Sequence, residues 1–276
     1  MFNLPYEDDG GKLLWQEMWR HELELAAEKG TVVIVPTGSV EQHGPHCPMD
    51  VDIINSFAIA IETAKKSDGL AIVAPPVWFG FAHYNKGFAG TISLSLNTYR
   101  SLLLDVCRSI KANHFDRIIL LNGHGGNHAP NNTLKHELTE EDIFLLALSW
   151  WEIVKDEMKA LSTSDGDDVG HGGEWETSVQ LHLRPELISL ERRVADKDMT
   201  NPFSSDVQKF ISGWGAFGER RRDTESRTGV MGNPNAATPE KGKAIVDAAS
   251  SKLAMVVREY HALPPRRYRE FGSYAP

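Results

Sequence analysis

Four short apolar runs, each closed by a polar loop and separated from the next by a stretch of helical length, restrict this chain's fold more than anything else in its sequence. Residues 31–36, 71–74, 117–121 and 143–148 are dense in valine, isoleucine and leucine and lack the apolar–polar alternation of a half-solvated strand. Continuous apolar runs of that length read as strands buried on both faces. Between them the spacing predicts helices. Residues 12–30 mix Leu13, Leu14, Met18, Leu23 and Leu25 with charged side chains and end at Gly30, suited to a C-terminal cap. Ile53, Ile54, Phe57, Ala58 and Ile61 share one face of a segment opened by Asp52, and Tyr99, Leu102, Leu103, Val106 and Ile110 share another. Parallel strands need crossover connections, so alternating strands and helices imply a three-layer α/β/α architecture with a mostly parallel sheet. With 276 residues, the expectation is a single domain over 1–276.

The C-terminal half is less regular. An acidic, glycine-rich stretch over 162–173 reads as a loop, and 174–182 as a short helix after it. Residues 197–228 show no period and suggest a mobile excursion or an oligomer contact. A last helix over 239–260 is signalled by Thr238 as N-cap and Pro239 in the first helical position.

A net charge of -9 argues against a surface that coats nucleic acid and favours a small-molecule substrate. Cys47 and Cys107 do not make a disulfide framework, which suits reduced thiols and a cytoplasmic location. The start of the chain lacks the basic and apolar regions of a signal peptide, and no later run approaches the ~20 apolar residues of a membrane span.

Clusters of chemistry-bearing residues follow the predicted strands, where open α/β sheets place their ligands. Glu41-Gln42-His43-Gly44-Pro45-His46, with Asp52 beyond, supplies carboxylates and imidazoles, the donor set that suits zinc, manganese or iron rather than calcium. His124 lies among Gly123, Gly125 and Gly126, where backbone can approach an ion or substrate closely. His171-Gly172-Gly173-Glu174-Trp175-Glu176-Thr177-Ser178 brings an imidazole and two carboxylates to the mouth of a short helix, with Glu174 and Glu176 on different faces. No glycine-x-serine-x-glycine elbow follows a predicted strand, which disfavours a serine hydrolase.

These segments resemble the signatures of the creatininase, or creatinine amidohydrolase, family: residues 38–46, 122–127 and 171–178, joined by Gly90-Thr91-Ile92-Ser93-Leu94 and Gly229-Val230-Met231-Gly232-Asn233-Pro234. The resemblance implies a hydrolase with two divalent ions per chain, zinc or manganese with iron as a further option, in a homo-oligomer that is usually a hexamer. It matches Glu41, His43, Asp52 and His124 to the family's metal ligands, with Asp52 as the bridge, and His171 to a proton-shuttling histidine. Glu176 is a further candidate ligand. Creatininase proper carries an aromatic residue and a glutamate after the histidine matching His124, whereas this chain has Gly125 and Gly126.

The expected reaction is the opening of a cyclic amide or related small ring at a C–N bond by a metal-activated water, with His171 or Glu174 giving a proton to the leaving group. Two other readings stand beside it. One is a family hydrolase that cleaves another bond, such as a keto-inositol ring or a formyl group; the other is a binding subunit whose ions only staple its loops. Trp151, Trp175 and His46 are the expected substrate contacts, with orientation of a metal ligand as an alternative role for His46.

Overall fold

The computed structural model describes residues 12–164, 170–196, 222–224 and 226–264. Four strands form one parallel sheet in the order β2-β1-β3-β4: β1 Val32–Thr37, β2 Ala71–Val73, β3 Arg117–Asn122 and β4 Phe144–Ser149. Among the described residues the α-helices are α1 Arg20–Glu28, α2 Val51–Lys65, α3 Leu96–Ala112, α4 His128–Thr139, α5 Trp150–Ile153, α6 Lys155–Leu161, α7 Glu174–Leu183 and α8 Pro239–Ala262.

The continuous apolar runs reflect burial on both sheet faces. Because successive strand residues point to opposite faces, β1 divides its side chains between two cores. Val32 and Ile34 pack with Ile119, Leu121 and Val73 against α2, α7 and α8, while Val33 and Val35 pack with Ile118, Leu120 and Ile72 against α1, α3 and α4. The result is the three-layer arrangement expected from the sequence.

Local signals account for the element ends. Ser95 Oγ accepts from Thr98 N at 3.1 Å to open α3, and Thr238 Oγ1 accepts from Lys241 N at 3.3 Å, with Pro239 following, to open α8. Gly30 adopts φ +70 just beyond α1, the left-handed conformation that closes a helix without a Cβ clash. The first helix is shorter than the 12–30 spacing predicts. Trp15–Glu17 is one 3-10 turn, and Leu14 instead bridges to Val73 at the end of β2.

Helix α4 has no counterpart in the sequence reading. Its first turn, His128-Ala129-Pro130-Asn131, offers no large apolar side chain, and only Leu134 and Leu138 of the helix enter the apolar core, too sparse a stripe to register as a period.

What positions the site is a polar row at the C-terminal edge of the sheet. The register sets Thr37 beside Asn122 and Asn122 beside Ser149. Thr37 Oγ1 donates to Asn122 Oδ1 at 3.3 Å, and Asn122 Nδ2 donates to Ser149 Oγ at 3.1 Å. Satisfied this way, three buried polar side chains end the core and begin the loops that carry chemistry. Among the described residues no helix is long and apolar enough to cross a membrane.

Candidate metal centre

Four chain segments converge above that edge. The loop after β1 brings Glu41 and His43, the first turn of α2 brings Asp52, the loop after β3 brings His124, and the entry to α7 brings His171 and Glu176. Close backbone approach makes this convergence possible. A Cβ at Gly123 would collide with the backbone of Asp52, and one at Gly38 would fall 2.5 Å from Ile53 N in the same helical turn. Asn127 ties the loops together: its Nδ2 donates to Gly38 O at 2.9 Å, and its Oδ1 accepts from Phe81 N at 2.9 Å.

The donor atoms form two adjacent triads that share one carboxylate. Glu41, Asp52 and His124 make the first, and His43, Asp52 and Glu176 the second, with donor atoms within 4.8 Å of one another in each. Asp52 divides its oxygens between them: Oδ2 lies 3.0 Å from His124 Nδ1, and Oδ1 lies 2.9 Å from His43 Nε2. Glu41 Oε1 is 3.2 Å from His124 Nδ1 and 3.4 Å from His171 Nδ1, and Glu176 Oε2 is 3.5 Å from His43 Nε2. Glu41, His43 and His171 form a third grouping on the same carboxylate.

Both central imidazoles are held from behind. His43 Nδ1–H donates to Glu41 O at 3.1 Å, and His124 Nε2–H donates to Phe81 O at 3.1 Å. A backbone acceptor on the far nitrogen fixes the tautomer in which the near nitrogen presents its lone pair to the carboxylates, the arrangement that metal-binding histidines use. Neither oxygen of Glu41, nor Asp52 Oδ2, has a hydrogen-bond partner although all three are buried. Unpartnered carboxylate oxygens facing imidazole lone pairs in a buried space fit a cation, and the mixed nitrogen and oxygen donors fit zinc, manganese or iron.

In the metal-free protein protons supply that positive charge. Burial by itself depresses His43, but the carboxylates of Asp52, Glu176 and Glu41 outweigh it and lift the imidazole to about 10. Burial works against His124 too, and Glu41, Tyr84 and Asp52 raise it well above its ordinary range. Asp52 is pushed up by burial and, more strongly, down by the two imidazoles, ending well below the usual carboxylate range. Burial raises Glu176 to about 7, with His43 opposing and Asp52 adding to the rise. His171 moves the other way. Burial and the nearby charges of His43 and Arg222 hold it well below 6.5, so it is a neutral imidazole whose Nε2–H donates to Gln42 O at 2.5 Å and whose Nδ1 faces the centre.

A cleft opens onto this cluster, with Asp52, His124, His171 and Glu176 on its reactive wall. Trp150, Trp151, Trp175, Met158 and Met231 make its apolar wall, and Tyr84 and Arg222 border it as well. Tyr84 stacks on His124 with ring centroids 5.8 Å apart.

A family profile described as creatinine amidohydrolase matches residues 16–257, nearly the whole chain. The chain belongs to the creatininase family. Among its relatives, a mycofactocin precursor peptide peptidase from Mycolicibacterium smegmatis is 33% identical over 218 residues, covering 78% of this chain and 79% of that protein. A creatinine amidohydrolase from Pseudomonas putida is 29% identical over 265 residues, covering 90% of this chain and 95% of that protein. A solved structure of a manganese form of creatininase superposes with a TM-score of 0.77 at 26% identity, and a Zn–Zn form of a creatininase mutant with 0.76 at 25%; each covers 92% of this chain and 100% of its own. This creatininase-family chain is therefore an α/β hydrolase with a cluster of metal-binding residues.

Glu41, His43, Asp52, His124, His171 and Glu176 meet at one point, and Trp151 and Trp175 line the cleft over it. Glu174 does not join them. Its carboxylate turns away from the cluster and is saturated by Lys241 Nζ at 2.5 Å, Ser164 Oγ at 2.7 Å, Ser162 Oγ at 3.1 Å and Thr163 N at 3.1 Å. The proton-donor role expected of it is corrected to a structural one that fastens α7 to α8. His46 is buried outside the cleft wall, with Nε2 at 2.9 Å from Thr177 Oγ1, so its expected substrate contact is replaced by a link between the β1 loop and α7. Cys47 packs against Leu181, Ile188 and Ala237, and burial pushes its thiol up to about 12, which leaves it inert as a nucleophile. Of residues 197–228, read as an excursion or subunit contact, 197–221 and 225 lie outside the described residues. Arg222, from that aperiodic stretch, borders the cleft, and the sequence offered no signal for it.

Proposed function

We propose that this protein hydrolyses an amide C–N bond in a small substrate with a pair of divalent cations, zinc or manganese, held between its two triads. The observation that carries the reading is the division of Asp52 between those triads, one oxygen to each. Glu41, Asp52 and His124 would hold one ion, and His43, Asp52 and Glu176 the other. Such ions, when bound, polarise a carbonyl and make water a nucleophile at neutral pH.

The rest of the work belongs to this chain's side chains. His171, neutral and anchored through Nε2 to Gln42 O, carries a free lone pair at Nδ1 toward the centre, where it can take up a proton and return it to the departing nitrogen. Trp150, Trp151 and Trp175 give the substrate an apolar wall and exclude water from one side. Both relatives named above are called after amide cleavage, a peptidase and an amidohydrolase, which supports C–N hydrolysis over ring C–C cleavage. Gly125 and Gly126 replace the aromatic residue and glutamate of creatininase proper, which supports an amide other than creatinine, cyclic or open. A homo-oligomeric assembly is part of the same proposal.

The test is a panel of cyclic lactams, creatinine, N-acyl amino acid amides and short peptides offered to protein loaded with zinc or manganese. Metal-dependent release of an amine from an amide is the expected result. Hydrolysis confined to a cyclic ketone, with every amide intact, would remove the proposal.

A further inference from the structure

Several arginines of the described structure are paired with carboxylates, while Arg117 and Arg193 are spent on backbone carbonyls. Arg184 forks onto Asp50 at 2.7 and 2.9 Å, Arg108 onto Glu141 at 2.6 and 2.8 Å, and Arg258 reaches Asp68 at 2.9 Å. Arg222 is different. It is the only guanidinium or ammonium group among the described residues that line the cleft, and no carboxylate among them pairs with it. Its Nε makes one long hydrogen bond to Asn85 Oδ1 at 3.4 Å, and its guanidinium carbon sits 5.3 Å from the centre of the Tyr84 ring. Neither terminal amino group has a hydrogen-bond partner among the described residues. Asn85 Oδ1 also accepts from Gln42 Nε2 at 3.2 Å, which leaves Asn85 Nδ2 a buried donor without a partner beside Arg222. Trp150 Nε1, on a residue of the cleft wall, is a second buried donor without one.

Tyr84 fixes where this charge lies relative to the reaction. Arg222 rests over Tyr84, which stacks on His124, so the guanidinium is one ring removed from a metal ligand. A planar fork with five donors, held by cation–π contact and a single weak hydrogen bond, is prepared for a bidentate anion. The acidic residues of the cleft, Asp52 and Glu176, are turned to the imidazoles and cannot serve it.

We infer that Arg222 is a specificity-determining residue that binds a carboxylate of the substrate, so that the amide cleaved here carries an acidic group close to the scissile bond. The inference rests on the amide-hydrolase reading for its chemistry, but its binding part is separable. A carboxylate on Arg222 would set the amide's orientation over the triads while its apolar part lies against the tryptophans.

The experiment compares N-acetylphenylalanine with its carboxamide, in binding and in turnover, on metal-loaded wild type, Arg222→Gln and Arg222→Lys. Binding is read by quenching of the cleft indoles. Wild type should favour the acid by about tenfold to hundredfold, the range of a charge-assisted hydrogen bond. Arg222→Gln should bring the acid-to-carboxamide ratio close to unity, and Arg222→Lys should restore part of it. The Gln variant also controls for direct binding of the acid to the metals, which would survive the substitution. An acid preference that survives in Arg222→Gln, or its absence in wild type, overturns the inference. So does an equal loss of both ligands in Arg222→Gln, which would make Arg222 a structural prop for Tyr84. Acid-selective, Arg222-dependent binding with no amide of any kind hydrolysed would sustain the inference and defeat the hydrolase reading instead.

Discussion

Stripped of metal, this protein should become less stable as the pH rises through the weakly alkaline range, and His43 sets the size of the effect. Its imidazole is held at about 10 against an ordinary 6.5 because Asp52, Glu176 and Glu41 surround it. A folded-state pKa above the unfolded one means that the native state binds the extra proton. The stabilisation is therefore fully present below pH 6.5 and is lost as the pH climbs to about 10. At about 1.4 kcal/mol per pH unit, that interval corresponds to roughly 5 kcal/mol. His43 and Asp52 are 0% and 1% exposed, so solvent screening removes little of it. Against a total stability of about 5–15 kcal/mol, such a loss is easily seen. Urea unfolding of chelator-treated protein, followed by tryptophan fluorescence across this range, should show the midpoint falling. Metal-loaded protein should show a flatter profile, because a ligating imidazole has already given up its proton. His43→Gln should flatten the metal-free profile as well. Equal pH slopes for metal-free wild type and His43→Gln would refute the reasoning.

Glu174→Gln breaks a buried pair with Lys241 outside the cleft lining, so it should cost roughly 3 kcal/mol in chemical denaturation while turnover of the folded enzyme is retained. Gly123→Ala forces a methyl group against the backbone of Asp52 and should lower metal affinity, read by competition with a chromogenic chelator; wild-type affinity would show that the two loops can part freely. His171→Gln should lower kcat by about 10²–10⁴-fold with metal content unchanged, and a loss of metal instead would reassign His171 from proton carrier to ligand.

Much of the fold was legible because the sheet is buried on both faces, which writes each strand as an unbroken apolar run. Helix α4 was hidden by the same logic: a helix that gives only Leu134 and Leu138 to the core leaves no stripe to read. The ligands were legible as residue types in loops after strands, and family resemblance assigned them. Sequence spacing separated Glu174 from Glu176 by helical face but could not say which face met the cluster. That depends on how α7 packs on α8, where Lys241 captures Glu174. Thr37, Asn122 and Ser149 are scattered in sequence, and only strand register makes them a row. Arg222 reaches the cleft from a stretch with no periodicity, through a contact with Tyr84 that no local pattern encodes.

The ratio of bound metal to protein is the most direct check on the centre itself. Wild-type chain loaded with zinc or manganese, desalted and measured by elemental mass spectrometry, should retain about two ions, and Asp52→Asn should not. A wild-type ratio of one or less, or an undiminished ratio after Asp52 loses its charge, would contradict a pair of cations sharing that carboxylate.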